Sequence, residues 1–261
     1  MMDQLTTTKG LMIFWLVVGR MGGFVMGAPI LGSPIIPRRV KIALILTLSF
    51  LIFSQISVSQ KIFLFSHPIT YLLYLLSELG LGFAIGYAIR LVFVGIELSG
   101  QLIGFQMGLD FAQSVDPEFT TQTSIISQFK YILAMMIFIS VNAHYFCLKA
   151  MLDSFYLIPL GEFSLSASFV KELANMVGDV FIISLKAGAP VILTLFLVQI
   201  VMGVINRLIP QINIFMISFP LKIIVGLLVI GFSIPYFLYF VENLSLSLYH
   251  RLFLFLKIAG S

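Results

Sequence analysis

The sequence predicts an all-α membrane protein with about six long apolar helices, and three observations support this. Hydrophobic residues make up 60% of the 261 residues and charged residues only 10%, whereas soluble domains carry about 25% charge. The mean hydropathy is +1.10. Nearly uncharged stretches of about twenty residues recur along the chain, the length at which a helix crosses about 30 Å of hydrocarbon. Too few polar residues are present to cover the surface of a soluble domain.

The six predicted helical segments follow one another with few charges inside them. They are residues 11–28, 42–60, 69–89, 131–148, 180–206 and 223–241. Pro190 and Pro235 fall inside the last two segments, which are long enough to tolerate a kink. No cleavage site of the A-x-A kind follows the first segment, so we expect it to remain as a helix rather than be removed as a signal peptide.

Three polar or proline-rich stretches are predicted to be loops. They are APILGSPIIPRR (28–39), residues 110–128 and residues 153–175. Lysine and arginine, which are enriched in cytoplasmic loops, are nearly balanced between alternate loops and do not orient six simple spans. Either the orientation is weakly encoded, or some segments pair as hairpins inside a protein assembly.

The chemistry of enzymes and of nucleic-acid binding is absent from the sequence. The net charge of +4 is thinly spread, which is not the footprint of a nucleic-acid binder. No GxxxxGK[ST], HExxH or paired-cysteine motif occurs, and the three histidines lie in different segments. The single cysteine, Cys147, excludes an internal disulfide and is expected to be a buried packing residue. We therefore expect no catalytic, cofactor-binding or metal-binding residues.

Glycines at four-residue spacing predict close helix packing in two places. Gly100, Gly104 and Gly108 form a smooth strip on one helix face, and Gly82 and Gly86 repeat the spacing. Such strips allow another backbone to approach closely. For the first strip, two interpretations remain open: packing alone, or packing that also gives the following segment room to bend or move.

Charged residues within or beside the apolar segments are expensive and usually face the interior or a partner. The six are Glu78, Arg90, Glu97, Lys130, Lys186 and Lys222. Structural pairing inside the assembly, an ion or proton relay, and snorkelling to the surface are the three alternatives.

The stretch FQMGLDFAQSVDPEFTTQTS (105–124) mixes aromatic, acidic and amide or hydroxyl residues between two apolar helices. Asp116 before Pro117 predicts a turn. Its large apolar residues, which are costly to expose to water, are Phe105, Met107, Phe111 and Phe119. The stretch is either a surface loop or a segment packed inside a conduit, where its rings would seal and its polar residues would tolerate wetting. The second case describes a gate.

Five blocks of sequence together resemble the FliR family of flagellar export-apparatus proteins, whose injectisome relatives are the SctT proteins. The resemblance covers nearly the whole chain, and the blocks that carry it are GRMGGFVMGAPILGSPIIPRRVK, ELSGQLIGFQMGLDFAQSVDP, VNAHYF, SFYLIPLG and INRLIPQINIFMISFPLK. The last is the most specific, because an Arg-x-x-Pro-Gln-x-Asn run inside apolar sequence is improbable by composition.

The resemblance implies one FliR-like chain in an export gate of tilted helical hairpins, together with several copies of FliP and FliQ. FlhB and membrane lipid would be further partners, and unfolded rod, hook and filament proteins would be the cargo. On this analogy residues 1–175 are FliP-like, residues 176–261 form a FliQ-like hairpin, and the gate lies in the bacterial inner membrane at the flagellar basal body.

The resemblance also assigns site residues. It places a pore plug at about residues 106–122, with Phe105, Met107, Gly108, Phe111, Asp116, Pro117 and Phe119 as its gate residues. A subunit interface is expected at Arg207, Pro210, Gln211 and Asn213, since proline removes a backbone donor and amides can bond to a neighbour.

Three rival interpretations remain. One is a secondary transporter whose helices break at Pro190 and Pro235, which would need a mid-depth site ringed by polar groups. The others are the equivalent subunit of a virulence injectisome and a purely structural scaffold.

Overall fold

The computed structural model describes residues 8–34, 36–55, 68–109, 124–209 and 214–260. Within these ranges every regular element is a helix and no strand occurs. The helices are α1 (Thr8–Gly27), α2 (Arg38–Gln55), α3 (Pro68–Met107), α4 (Ile125–Ser140), α5 (Ala143–Leu157), α6 (Ala167–Leu208) and α7 (Ile214–Ala259).

Four of the described helices, α1, α3, α6 and α7, are long and apolar enough to cross a membrane. A fifth span is possible if the broken pair α4–α5 counts as one. The predicted all-α membrane class is confirmed, and the predicted number of about six is only approximate. Helix α2 begins with Arg38, Arg39 and Lys41, and the end of the predicted segment 42–60 lies outside the described residues.

The long helices extend well beyond the predicted segments. Helix α3 has 40 residues, α6 has 42 and α7 has 46, so each runs for roughly 60 Å or more at 1.5 Å per residue. The predicted loop at 153–175 is too long, because α5 continues to Leu157 and α6 already begins at Ala167, so only residues 158–166 lie outside helices. Asp153 can stay in α5 because its carboxylate accepts a hydrogen bond from the Tyr249 hydroxyl at 2.8 Å.

The predicted single helix at 131–148 is also wrong, because the chain breaks between α4 and α5. Asn142 has φ 59°, a left-handed conformation that asparagine tolerates better than most residues. The backbone N–H of Asn142 donates to the oxygen of Ile139 at 3.0 Å. Hydropathy did not show this break, since the residues on both sides remain apolar.

The chain divides into two compact units that are discontinuous in sequence. Unit 1 comprises Met1–Leu91, Ala143–Met176 and Ser247–Ser261, and unit 2 comprises Val92–Asn142 and Val177–Leu246. Helices α3, α6 and α7 contribute residues to both units. The predicted boundary near residue 175 falls inside α6 and remains a prediction.

In unit 1, glycines on α1 and α3 bring the two backbones together. A Cβ on Gly82 or Gly86 would collide with backbone oxygens of α1, and a Cβ on Gly23 or Gly27 would collide with backbone oxygens of α3. The two helices therefore interlock through positions where only hydrogen fits, a packing mode typical of membrane helices.

Candidate functional site

The described start of the predicted plug and the first turn of α4 lie in one apolar cluster of unit 2, which we call the loop root. Its buried members are Ile103, Met107, Ile126, Val191 and Leu195, and Leu109, Ile192, Ile223, Val229 and Ile230 pack against them. Met107, in the last turn of α3, is fully buried. The loop root thus draws residues from α3, α4, α6 and α7, and it holds the chain on both sides of residues 110–123.

Helices α3 and α4 touch backbone to backbone at the loop root. A Cβ on Gly100 would collide with the Cα of Ser127, and the Ser127 hydroxyl donates to the backbone oxygen of Glu97 at 2.8 Å. Gly104, one turn further along α3, is buried. Gly100 therefore lies where α3 and α4 meet, and the two helices are close-packed at the loop root.

Gly108 ends α3 in a conformation that other residues rarely adopt. Its φ is +79°, and its N–H donates to the backbone oxygen of Phe105 at 3.0 Å. A Cβ at this position would also collide with the ring of Phe219 in α7. Both the backbone angle and the available space therefore require glycine here.

Phe105 and Met107 have opposite environments, although both were predicted to lie in the gate. Phe105 is 77% exposed in this chain, and Met107 is completely buried. The other predicted gate residues, Phe111, Asp116, Pro117 and Phe119, lie outside the described residues. The structure therefore places the base of the predicted plug and says nothing about its tip.

The predicted subunit interface is described only in part. Arg207 lies exposed in the last turn of α6, whereas Pro210, Gln211 and Asn213 lie outside the described residues. The described structure does not bring the four together, and the interface remains a prediction.

A buried ion pair lies in unit 1, at the place where the sequence singled out Glu78 as an acid inside an apolar segment. The Arg20 Nε lies 2.5 Å from Glu78 Oε2, and both side chains are 0% exposed. Arg20 Nη1 donates to the backbone oxygens of Ser154 and Ile158 at 3.0 Å each. Glu78 Oε1 accepts from the N–H of Gly161 at 2.8 Å. The pair joins α1 and α3 to the end of α5.

Sequence reasoning flagged Glu78 but missed its partner. Arg20 stands inside the first apolar segment, and an arginine there is itself a sign that an acid must lie nearby. The glycines around it indicated close packing, yet nothing local in the sequence identified Glu78 as the acid that it meets.

Lys130, another flagged charge, lies in unit 2 and is 6% exposed. Its Nζ donates to the backbone oxygen of Ala187 at 2.9 Å and lies 4.8 Å from the centre of the Phe237 ring. Lys222 Nζ donates to Gln199 Oε1 at 3.3 Å. No group of three or more His, Cys, Asp or Glu side chains suited to a metal ion occurs among the residues that the structure describes.

Comparison with known proteins gives a consistent match over most of the chain. The family model described as bacterial export proteins, family 1, matches residues 11–248. The flagellar biosynthetic protein FliR of Buchnera aphidicola subsp. Acyrthosiphon pisum (strain APS) is 36% identical over 231 residues, 88% of each chain. FliR of Aquifex aeolicus (strain VF5) is 32% identical over 235 residues, 90% of each chain. FliR of Escherichia coli (strain K12) is 28% identical over 239 residues, 92% of this chain and 90% of that protein.

Proposed function

We propose that this chain, which belongs to the FliR family of bacterial export proteins, forms and closes part of a channel for unfolded flagellar proteins. The chain is a membrane protein and a subunit of the flagellar export apparatus. What we propose beyond this is that the chain helps to form the channel and that residues 106–122 close it.

The proposed setting is an export gate in the bacterial inner membrane at the flagellar basal body. Several FliP and FliQ copies and FlhB would be its partners, and rod, hook and filament proteins its cargo. Uncovered apolar helices support a setting of this kind. Only 22% of the apolar window of α6 and 11% of that of α7 are buried within the chain, so lipid or neighbouring helices must cover the rest. Residues 1–175 would occupy a FliP-like position and residues 176–261 a FliQ-like position.

The observation that supports closure is the loop root. Met107 and Leu109, before residues 110–123, and Ile126, after them, all belong to this one cluster. A segment fixed at both ends by a close-packed base can block an opening without moving the helices behind it, and its polar residues tolerate water once it is displaced.

Catalysis has no part in the proposal, and the energy for export would come from other components. The transporter alternative is less well supported, because it needs polar groups converging on an open mid-depth site. The expected breaks are also wrong, because α6 continues through Pro190 and α7 through Pro235. Near Pro190, the carbonyl oxygens of Lys186 and Ala187 are already bonded within the chain.

The test is to weaken the plug without touching the loop root. In cells that also supply the partner proteins, we would delete ten loop residues, or change Phe111 and Phe119 to Ser. Each variant should assemble normally but let small ions or dyes leak across the membrane. Changing Ser114 and Thr120 to Ala in the same loop is the matched control, and it should not leak because no apolar seal is removed.

A labelling experiment addresses the same loop in the resting and working states. A cysteine replacing Ser114, in a chain where Cys147 is changed to Ala, should resist a thiol reagent at rest and react when a substrate is stalled in the channel. A deletion variant that assembles, exports normally and shows no leak would overturn closure and leave the loop as an ordinary connector.

A further inference from the structure

A proline interrupts the hydrogen bonding of α6, and a side chain from another helix compensates for it. Pro190 has no N–H, so the backbone oxygen of Lys186, four residues earlier, loses its helical donor. The Tyr236 hydroxyl of α7 donates to that oxygen at 2.9 Å. The Thr194 hydroxyl donates back to the oxygen of Pro190 at 2.8 Å, a contact that often accompanies a bent helix.

The next carbonyl of α6 receives a second side chain, from α4. Lys130 Nζ donates to the backbone oxygen of Ala187 at 2.9 Å, and both residues are buried. Two adjacent carbonyl oxygens at the proline break thus bind side chains from two different helices. All these residues belong to unit 2.

Burial of a lysine here demands an explanation, because an ammonium in apolar surroundings is costly unless its donors are used. Within the described residues Lys130 forms no ion pair. Beside its carbonyl and aromatic contacts lies a cavity of about 20 Å³, which is also lined by Ser233. A cavity of that size has room for one water, which could accept the remaining N–H.

The same place is continuous with the loop root. Ile103 and Val191 line the cavity beside Lys130 and also belong to the buried cluster of the loop root. Lys130 follows Ile126 by four residues on α4, so the two side chains share a helix face. The position of α4, the helix that the loop enters, is therefore tied to α6 by this lysine.

We propose that Lys130 is a positioning residue for channel closure. Lys130 holds α6 to α4 next to Pro190, and Tyr236 holds α6 to α7 at the same place; together we call these two contacts the clamp. The clamp holds the loop root in the arrangement from which the plug closes. This inference rests on the proposed closing role of residues 106–122, and it adds a residue that neither touches the cargo nor lies in the loop.

The first experiment replaces the lysine in the assembled complex. Lys130→Met keeps the length of the side chain and removes the donor, Lys130→Arg keeps a donor, and Lys186→Met is the matched control, because the Lys186 side chain is exposed. We expect Lys130→Met to increase dye leak several-fold and amide exchange at residues 187–195 about tenfold. Lys130→Arg should restore both toward the parent, and Lys186→Met should change neither.

A second pair of variants keeps the proposal testable if Lys130→Met fails to assemble. Tyr236→Phe should raise amide exchange in the same stretch, because the Lys186 oxygen loses its donor. Adding Pro190→Ala should reverse that rise, because an alanine N–H can bond this oxygen within the helix. A residue that only fills space would not show this suppression.

The outcomes separate the clamp from the plug. The clamp would be overturned if amide exchange in Tyr236→Phe stayed at the wild-type rate. It would also be overturned if Lys130→Met leaked no more than Lys186→Met while the loop deletion did leak. Either result would leave the proposed closure intact. If the loop deletion does not leak, closure itself fails. The positioning role falls with it.

Discussion

Two regions of the molecule differ in how their apolar surface is covered: the packed helices α1 and α3, and the helices α6 and α7. In the apolar windows of α1 and α3, 56% and 61% of residues are buried, against 22% and 11% in α6 and α7. In unit 1 the buried charges pair with each other and nearby backbone groups within the chain. Helices α6 and α7 leave most of their apolar surface uncovered.

The difference shows which apolar surfaces and polar groups the chain covers or pairs by itself, and which need lipid or a neighbouring subunit. Without water, helices associate through close backbone contact and satisfied polar groups, and the α1–α3 region has both. On α7, by contrast, Phe232 is 85% exposed. Substitutions in unit 1 should therefore damage the chain itself, and substitutions near the α6–α7 connection should damage assembly.

The largest effect is expected from breaking the buried ion pair on one side only. Arg20→Met or Glu78→Met leaves an uncompensated buried charge, which costs about 3–5 kcal/mol. Each single variant should be degraded, as measured by its level in the membrane fraction. The double variant should recover part of that level, although the N–H of Gly161 would still lack its acceptor. Wild-type levels of Glu78→Met would show that the pair is not needed for folding.

A smaller effect is expected from adding one methyl group between α1 and α3. Gly82→Ala places a Cβ against the backbone oxygen of Arg20, and such overpacking costs about 1–3 kcal/mol. Gly80→Ala is the matched control, since no atom lies within 4 Å of its Cβ position and alanine favours the helix. The melting temperature of the purified complex should fall for Gly82→Ala and not for Gly80→Ala. Equal melting temperatures would argue against close packing at Gly82.

The smallest effect is expected at the proposed subunit interface. Changing Gln211 and Asn213 together to Leu would remove hydrogen bonds to a neighbour, each worth about 0.5–1.5 kcal/mol net. Chain level should stay normal while complex yield and motility fall. Gln199→Leu is the control, because its partner Lys222 lies in the same chain. Unchanged yield and motility in the double variant would show that the two residues are incidental.

Predictions from the sequence were accurate where a local property decides the outcome. Hydropathy over twenty residues predicts helices for a membrane because each span must satisfy its own backbone bonds in lipid. Helix ends were less well predicted. Asp153 and Asn175 read as loop residues by polarity, yet both lie in helices, and Asp153 is satisfied by Tyr249, distant in sequence.

The candidate site shows the same division. Glycine spacing predicted packing at Gly82, Gly86, Gly100 and Gly104, and a Cβ on any of the first three would collide with a neighbouring backbone. Composition singled out residues 105–124. The helix that packs against each glycine could not be predicted, because a strip of small residues indicates only that another backbone can approach closely. Likewise, Lys130 was singled out as a charge beside an apolar segment, but neither its burial nor its acceptor on α6 was predicted.

The sequence alone is enough to predict the helical membrane class, the small-residue positions, and a family resemblance that the comparisons confirm. These properties depend on residue type and on spacings of a few residues, which a single sequence contains. The folded structure was needed to show that Arg20 pairs with Glu78, that Tyr236 and Lys130 bind carbonyl oxygens near Pro190, and that α3 and α4 share one loop root. Such pairings join residues far apart in sequence, and their energy exists only after the helices have packed.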